Sequence, residues 1–417
     1  MLPRVDGQGY PDPANYDFEP LTGAEKHLDT LATNNHPYFW FLHNFNAGKN
    51  PFFKFFFGQF PLNSLQNFQA ERSLRMSKSD DASELNFFYT TQGGQEGEKL
   101  NEDAICIYPI GPNRILAAVY DGASSQKPIT GLESFKVSGA FYVSHLAALG
   151  FPTTEDYEKL TQNQDLTAKE IMIALNRWLY QELVKVQGVD YSDVLTIPGM
   201  AATIALIDFN KMKVSIAHVA DTIGIATHEV DYVILTDNKN QPFDEATLTL
   251  VQQIASERNI SIREAAKDPR VKIQLADSFR QKINSAGGCG VLNGMPELVL
   301  NNLIYTLSVP IDPLLQGLHL MSDGFYTPWL GQQDGNPDLG MKKVLGAIER
   351  RCPYYPPIES ATDPLDYDPD FMKIPRLKRR DDITLLSIRF PLFQASEKSR
   401  LETVKRQALL AGRVEDQ

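Results

Sequence analysis

The sequence of 417 residues is poor in cysteine, with only Cys106, Cys289 and Cys352, which stand far apart. Three isolated cysteines exclude a disulfide framework and a paired-cysteine metal site. A reducing compartment is therefore expected, and we predict a cytoplasmic protein. Export by a specialised system stays open as an alternative.

Basic charge and long apolar runs are also scarce. Lys and Arg total 40 against 52 Asp and Glu, a formal charge of -12 that repels nucleic acid and excludes a nucleic-acid partner. The start of the chain, MLPRVDGQGYPDPANYDFEP, lacks the apolar run of a secretory signal. The aromatic run at 51–60 is short and contains Lys54, so it cannot span a bilayer. Buried packing of this run is favoured over a membrane-surface or partner patch.

Three regions of the chain differ in composition and in hydrophobic pattern. Residues 1–82 form an extension of unknown role, partly helical over 21–45 and polar over 64–82, where a linker is expected. Residues 83–392 alternate short β-type runs with helical stretches at 131–149, 167–187 and 245–258. The strand runs come in consecutive groups, which favours an α+β domain with antiparallel sheets and helices outside. Residues 393–417 predict a charged terminal helix.

Acidic residues stand at the ends of four predicted strands. Glu102 and Asp103 open one, Asp121 and Asp323 each close one before a glycine, and Asp381 with Asp382 opens the last. Carboxylates at strand ends can meet at one rim of a sheet, and as hard oxygen ligands they suit magnesium or manganese. A glycine after the aspartate lets the backbone turn and bring a carbonyl oxygen to a cation. Each motif alone is also typical of an ordinary turn or a solvated pair.

In their order along the chain, these motifs resemble the protein phosphatase 2C family. Six blocks carry the likeness: LNEDAICIY (100–108), AAVYDGASS (117–125), GMAATIALI (199–207), AHVADTIGIA (217–226), LHLMSDGFY (318–326) and RRDDITLLSI (379–388). The resemblance implies a four-layer αββα sandwich of two antiparallel sheets flanked by helices. It also implies that residues 83–392 are the catalytic domain and that about 237–300 is a variable flap or insert.

The resemblance further implies a role for each acidic residue. Asp121 would bridge two Mn²⁺ or Mg²⁺ ions, and Asp103 would orient the attacking water. Asp221 would help to hold a possible third ion with Asp323. The other implied ligands are Glu102 and the carbonyl of Gly122 on one ion, and Asp323 and Asp381 on the other.

Three positions depart from the family pattern. Ala123 stands where eukaryotic members often have a proton-donating histidine, and Ala220 replaces the usual glycine before Asp221. Glu98 occupies the place of a phosphate-binding arginine, so Lys99 is the nearest cation and a candidate catalytic residue, with a solvated lysine as the alternative. His145 and His218 lie in apolar patterns that predict structural roles.

The resemblance implies hydrolysis of phosphoserine and phosphothreonine in proteins through a metal-activated bridging water, without a covalent intermediate. The sequence contains no C-x5-R phosphate loop, which agrees with this mechanism. Two alternatives stay open: a small-molecule phosphomonoesterase of the same fold, and a weak or inactive binding module. The expected partner is a phosphorylated protein substrate, and the expected state is a monomer.

Overall fold

A computed structural model gives the structure of this chain. It describes residues 67–75, 84–92, 100–110, 113–123, 127, 129–133, 137–228, 231–330, 337–349, 371 and 381–390. All of these residues belong to one compact unit, Leu62–Gln417. The helices predicted at 21–45 and 393–417 and the candidate Lys99 lie outside the described residues.

One antiparallel sheet has five strands, in the order β3-β4-β5-β6-β9. Strand β5, with the sequence GMAATIALID, is buried along its whole length. A strand that is covered on both faces can be apolar throughout instead of alternating, and this explains the run of small and aliphatic residues. The five strands are β3 (Ala104–Pro109), β4 (Arg114–Ala123), β5 (Gly199–Asp208), β6 (Lys213–Val219) and β9 (Tyr305–Pro310).

The other antiparallel sheet has six strands, in the order β1-β2-β11-β10-β7-β8. Its strands are β1 (Asn67–Arg75), β2 (Glu84–Gln92), β7 (Ile223–His228), β8 (Tyr232–Ile234), β10 (Leu315–Met321) and β11 (Ile383–Arg389). The linker predicted over 64–82 is wrong in part, because nine of its residues form β1 and pair with β2. Its polar sequence concealed the strand, since edge strands are often polar.

The two sheets pack face to face around one apolar core. Val119 and Ile216 contribute from the five-stranded sheet, and Leu320 and Leu386 contribute from the six-stranded sheet. All four are buried. This contact sets the spacing of the two sheets and so fixes which strand ends face each other.

Ten helices are described. They are α1 (Thr130–Glu133), α2 (Gly139–His145), α3 (Glu155–Thr161), α4 (Ala168–Leu183), α5 (Gln241–Arg258), α6 (Ile262–Ala265), α7 (Pro269–Gln274), α8 (Glu297–Leu300), α9 (Asp323–Leu330) and α10 (Pro337–Glu349). Helix α4 begins with a capping box between Thr167 and Glu170. A π turn, Leu275–Phe279, and a 3-10 turn, Arg280–Lys282, follow α7.

The helices form the two outer layers. Helices α2 and α4 pack on the five-stranded sheet. On the other side, Phe325 of α9 and Val344 of α10 join Ile225 and Leu385 in a second apolar cluster. The predicted α+β, four-layer αββα sandwich is therefore confirmed.

Two sequence expectations about local structure need correction. Asp323 was expected to close a strand, but β10 ends at Met321 and Asp323 begins α9. The helix predicted at 245–258 begins earlier, at Gln241, because Pro242 fits the first turn of a helix, where its missing N–H is not needed.

None of the helices in the described ranges combines the length and the apolar run that a bilayer crossing requires.

Candidate metal centre

The acidic residues of the sequence motifs meet at one edge of the two packed sheets. Asp121 lies near the end of β4, and Asp103 immediately precedes β3, the strand that pairs with β4. Ser322, between β10 and Asp323, is hydrogen-bonded to Thr384 at the start of β11: the Ser322 N–H donates to the Thr384 carbonyl oxygen, and the Thr384 N–H donates to Ser322 Oγ. Antiparallel pairing thus places the end of one strand beside the start of the next, in both sheets.

A hydrogen bond joins the acidic segments of the two sheets. The backbone N–H of Glu102 donates to Asp382 Oδ2 over 2.7 Å, although the residues are 280 positions apart in the sequence. Glu102 and Asp382 are both buried. The Asp382 carboxylate therefore positions the backbone of the Glu102–Asp103 pair, a role that the sequence did not assign to it.

The glycines after Asp121 and Asp323 allow other backbone segments to approach them closely. Neither glycine has a left-handed backbone conformation. A Cβ at Gly122 would lie 2.7 Å from the carbonyl oxygens of both Ala140 and Glu102. A Cβ at Gly324 would overlap the carbonyl oxygen of Asp382. The predicted sharp turn is therefore wrong at both positions, and close packing of backbone segments explains the glycines instead.

The electrostatics show that the carboxylates are neighbours. Burial raises the pKa of Asp121 well above its usual range, and the carboxylates of Asp103, Asp323, Asp221 and Asp381 raise it further. Burial also raises the pKa of Asp103, as do Asp382 and Asp381, while hydrogen bonds from Ser322 and Thr384 lower it. Clustered acids disfavour one another's charged forms, so a cation among them would be strongly favoured.

Asp221 lies between β6 and β7 and belongs to the same cluster. Burial and the nearby Asp244 raise its pKa to about 6. Asn240 Nδ2 donates to Asp221 Oδ2 over 2.7 Å, and the Tyr326 hydroxyl donates to the Asp221 carbonyl oxygen over 2.7 Å. Burial, with Asp323, raises the pKa of Asp244 to about 7.

Sequence reasoning missed several members of this site. Asn240 and Asp244 stand at the start of α5, in the insert, and no local motif marks them. Arg280, also in the insert, lies close enough to Glu102 and Asp221 for their charges to act on it. A signal for Arg280 was available, because it lies inside the insert at about 237–300 that the resemblance implied.

A divalent cation fits the chemistry of this donor set. Carboxylates, backbone carbonyls and amide oxygens are the ligands that Mg²⁺ and Mn²⁺ prefer. Asp103 Oδ2 and Asn240 Oδ1 are buried, and neither has a hydrogen-bond partner. Across the described ranges, no three acidic, histidine or cysteine side chains are placed to hold one ion together. A magnesium-type ion takes water for the ligand positions that protein oxygens do not fill.

The two histidines lie outside this donor set, as predicted. His218 Nε2 lies 2.9 Å from the Asp237 carbonyl oxygen, and its Nδ1 lies 3.2 Å from Thr203 Oγ1. His145 Nδ1 lies 3.0 Å from the Phe141 carbonyl oxygen. Burial lowers the pKa of each to about 4, so both are neutral at pH 7.

Comparison with known proteins gives similarity only at the level of solved structures. No family model matches the chain. No curated protein matches it either. One similar structure is a bacterial serine phosphatase, at 14% identity and a TM-score of 0.41, covering 74% of this chain and 98% of that one.

Two further structures have named sources. The serine/threonine phosphatase Stp1 from Staphylococcus aureus is 15% identical with a TM-score of 0.39, covering 76% of this chain and 98% of that one. The serine-threonine phosphatase 2C from Toxoplasma gondii is 15% identical with a TM-score of 0.40, covering 78% of this chain and 100% of that one.

Proposed function

We propose that this chain is a metal-dependent phosphatase that hydrolyses phosphoserine and phosphothreonine in proteins. The observation that carries the proposal is that Asp103, Asp323 and Asp381 all act on the Asp121 carboxylate, at a sheet edge where the 2.7 Å hydrogen bond from Glu102 N–H to Asp382 Oδ2 joins the two sheets. Asp121 and the three residues that act on it come from segments up to 278 positions apart, since 381 − 103 = 278. Burying several carboxylates together raises the free energy of the folded state, because their negative charges repel one another. Bound cations offset this repulsion.

The proposed ligands follow the sequence motifs. Asp121 would be shared by two Mn²⁺ or Mg²⁺ ions. Glu102 and the carbonyl of Gly122 would be further ligands of one ion. Asp323 and Asp381 would be further ligands of the other ion. Asp221 would serve a third ion. When bound, such ions lower the pKa of a water molecule and neutralise charge on the phosphoryl oxygens.

The protein's own groups would orient the reaction. Asp103 Oδ2 is buried without a hydrogen-bond partner, so it can accept a hydrogen bond from the attacking water and align it. Ala123 leaves no histidine at the end of β4 to protonate the leaving group. We therefore assign that proton to a water molecule.

The test is hydrolysis of p-nitrophenyl phosphate and of a phosphothreonine peptide by purified protein with Mn²⁺. Asp121→Asn removes the central carboxylate, and we expect kcat/KM to fall at least about 100-fold. The matched control is Asp208→Asn. Asp208 lies at the opposite end of the β4–β5 pair and accepts hydrogen bonds only locally, from the backbone of Asn210 and Lys211.

Three outcomes would contradict the proposal. A binding module would be favoured if the wild type and Asp121→Asn have equal activity, or if neither protein is active with any metal. Hydrolysis of small phosphate esters with no turnover of phosphopeptides would favour a small-molecule phosphomonoesterase. Comparison of Mn²⁺ with Mg²⁺ in the same assay identifies the preferred ion.

A further inference from the structure

Arg280 stands in the insert, in the 3-10 turn Arg280–Lys282. Its side chain is partly exposed, so a ligand from solvent can reach it. The turn continues to Ile283, whose backbone N–H donates to the Arg280 carbonyl oxygen over 3.4 Å. Residues three apart in such a turn lie on the same side, so Arg280 and Ile283 project together.

The segment after this turn is fastened to the strand that borders the acidic cluster. Leu292 and Met200 exchange two backbone hydrogen bonds of 3.0 Å. Met200 is the β5 partner of Gly122 in β4. Only strand β5 therefore lies between the end of the segment and the Asp121–Gly122 pair of β4.

Ile283 anchors the other end of the same segment. It packs in an apolar cluster with Ala201 and Ala220. Ala201 is the register partner of Asp121, and Ala220 immediately precedes Asp221. Because Arg280 projects on the side of Ile283, its side chain lies on the face of the turn that packs toward Ala201 and Ala220.

The charges around Arg280 agree with this placement. Burial lowers the pKa of Arg280, whereas Cys289, Glu102 and Asp221 act to raise it. Glu102 and Asp221 are both proposed metal ligands. The guanidinium of Arg280 is therefore close enough to the proposed metal site for the charges of two of its members to act on it.

We propose that Arg280 binds the phosphoryl group of the substrate, so that the insert supplies the arginine that the segment before β3 lacks. This inference rests on the proposed function. A planar guanidinium can donate two parallel hydrogen bonds to phosphoryl oxygens, which a lysine ammonium cannot match. Arg280 is thereby a second candidate for this role, and the role of Lys99 stays a prediction.

The experiment measures the affinity of inorganic phosphate for the Mn²⁺-loaded full chain, by calorimetry and as inhibition of p-nitrophenyl phosphate hydrolysis. We expect Arg280→Ala to weaken phosphate binding roughly 10- to 100-fold and to raise KM correspondingly. Arg280→Lys should recover part of that loss. The matched control is Lys282→Ala, an exposed cation of the same turn, which should change the affinity less than about twofold.

The same measurements separate phosphate binding from a purely structural ion pair. Manganese affinity is determined for each variant, and we expect it to change far less than phosphate affinity. An altered manganese affinity with unchanged phosphate affinity would mean that Arg280 is only a counter-ion, and the inference fails. A loss of phosphate binding in Lys99→Ala but not in Arg280→Ala also overturns it.

A measurement on the wild type removes any dependence on variant folding. Phenylglyoxal modifies arginine, and mass spectrometry of the peptides locates the modified sites. Phosphate with Mn²⁺ should protect Arg280, and equal modification with and without phosphate contradicts the inference. If phosphate protects Arg280 but no ester is hydrolysed, the proposed function fails while this inference stands.

Discussion

Ala220 adopts a backbone conformation that favours glycine. Its φ is 65°, in the left-handed region, immediately before Asp221. For a residue with a Cβ this conformation costs roughly 1–2 kcal/mol, which explains why glycine is usual at this place. The Ala220 carbonyl accepts a hydrogen bond of 2.8 Å from Lys239 N–H, and its methyl group is buried beside Ile283. Packing therefore offsets the strain, and Asp221 stays in the cluster.

Gly324 offers a test of close packing at the level of one residue. We expect Gly324→Ala to lower the free energy of unfolding by about 1–3 kcal/mol, because a Cβ would overlap the Asp382 carbonyl oxygen. Phosphatase activity should fall with it, since Asp323 and Asp381 are displaced. Urea unfolding and the p-nitrophenyl phosphate assay provide the two measurements.

The control for Gly324 is Gly224→Ala in β7. A Cβ there would be 3.5 Å from its nearest neighbour, Leu320 Cδ2, an ordinary contact. If both variants lose the same stability and activity, close packing at Gly324 is not the cause.

At the scale of elements, the insert is held to the site by a buried amide network. Asn284 Nδ2 donates to the Val291 carbonyl oxygen over 2.9 Å and to Asn293 Oδ1 over 2.8 Å. Asn284 Oδ1 accepts from Val291 N–H over 2.8 Å. One side chain thus closes the loop that carries Cys289 and ends at β5. A loop fixed in this way can position Arg280 without being part of the sheet.

We expect Asn284→Ala to destabilise the protein by at least about 2 kcal/mol, because three buried hydrogen bonds of this side chain are lost and alanine disfavours a φ of 57°. Hydrogen exchange should show faster opening of 283–292, and phosphate affinity should weaken.

Asn259 provides the matched control, since its φ is 51° and it is exposed at the end of α5. Asn259→Ala should lower the free energy of unfolding by only about 1 kcal/mol, because alanine disfavours this backbone conformation. Exchange at 283–292 should then stay as in the wild type. Slow exchange of 283–292 in Asn284→Ala would contradict the proposed role of the network.

At the scale of the whole molecule, the two packed sheets concentrate negative charge at one edge. We expect Mn²⁺ to raise the free energy of unfolding, by about 2.7 kcal/mol at 100 times its dissociation constant. Without metal, Asp121→Asn should be more stable than the wild type, because it removes one of several repelling carboxylates. With Mn²⁺ the order should reverse.

Thermal and urea unfolding in Mn²⁺ and in a chelator provide this comparison. Asp208→Asn, at the other end of the strand pair, should keep the full stabilisation by metal. A stabilisation of equal size in Asp121→Asn would show that Mn²⁺ binds elsewhere.

The sequence by itself determined the fold class, and it predicted acidic residues at the strand ends. Strand runs with acidic residues at their ends are local patterns, so Asp121, Asp323 and Asp381 could be identified without coordinates. Grouped strands predicted antiparallel sheets because short connections favour that pairing.

Only the tertiary structure decided which other residues join these acids. Asn240, Asp244 and Arg280 lie in an insert whose path depends on distant contacts, such as the bridge between Met200 and Leu292. The roles of Gly122 and Gly324 likewise depend on backbone segments that approach from elsewhere in the chain. Local periodicity contains no information about such approaches, because packing of the two sheets and the register of their strands set them.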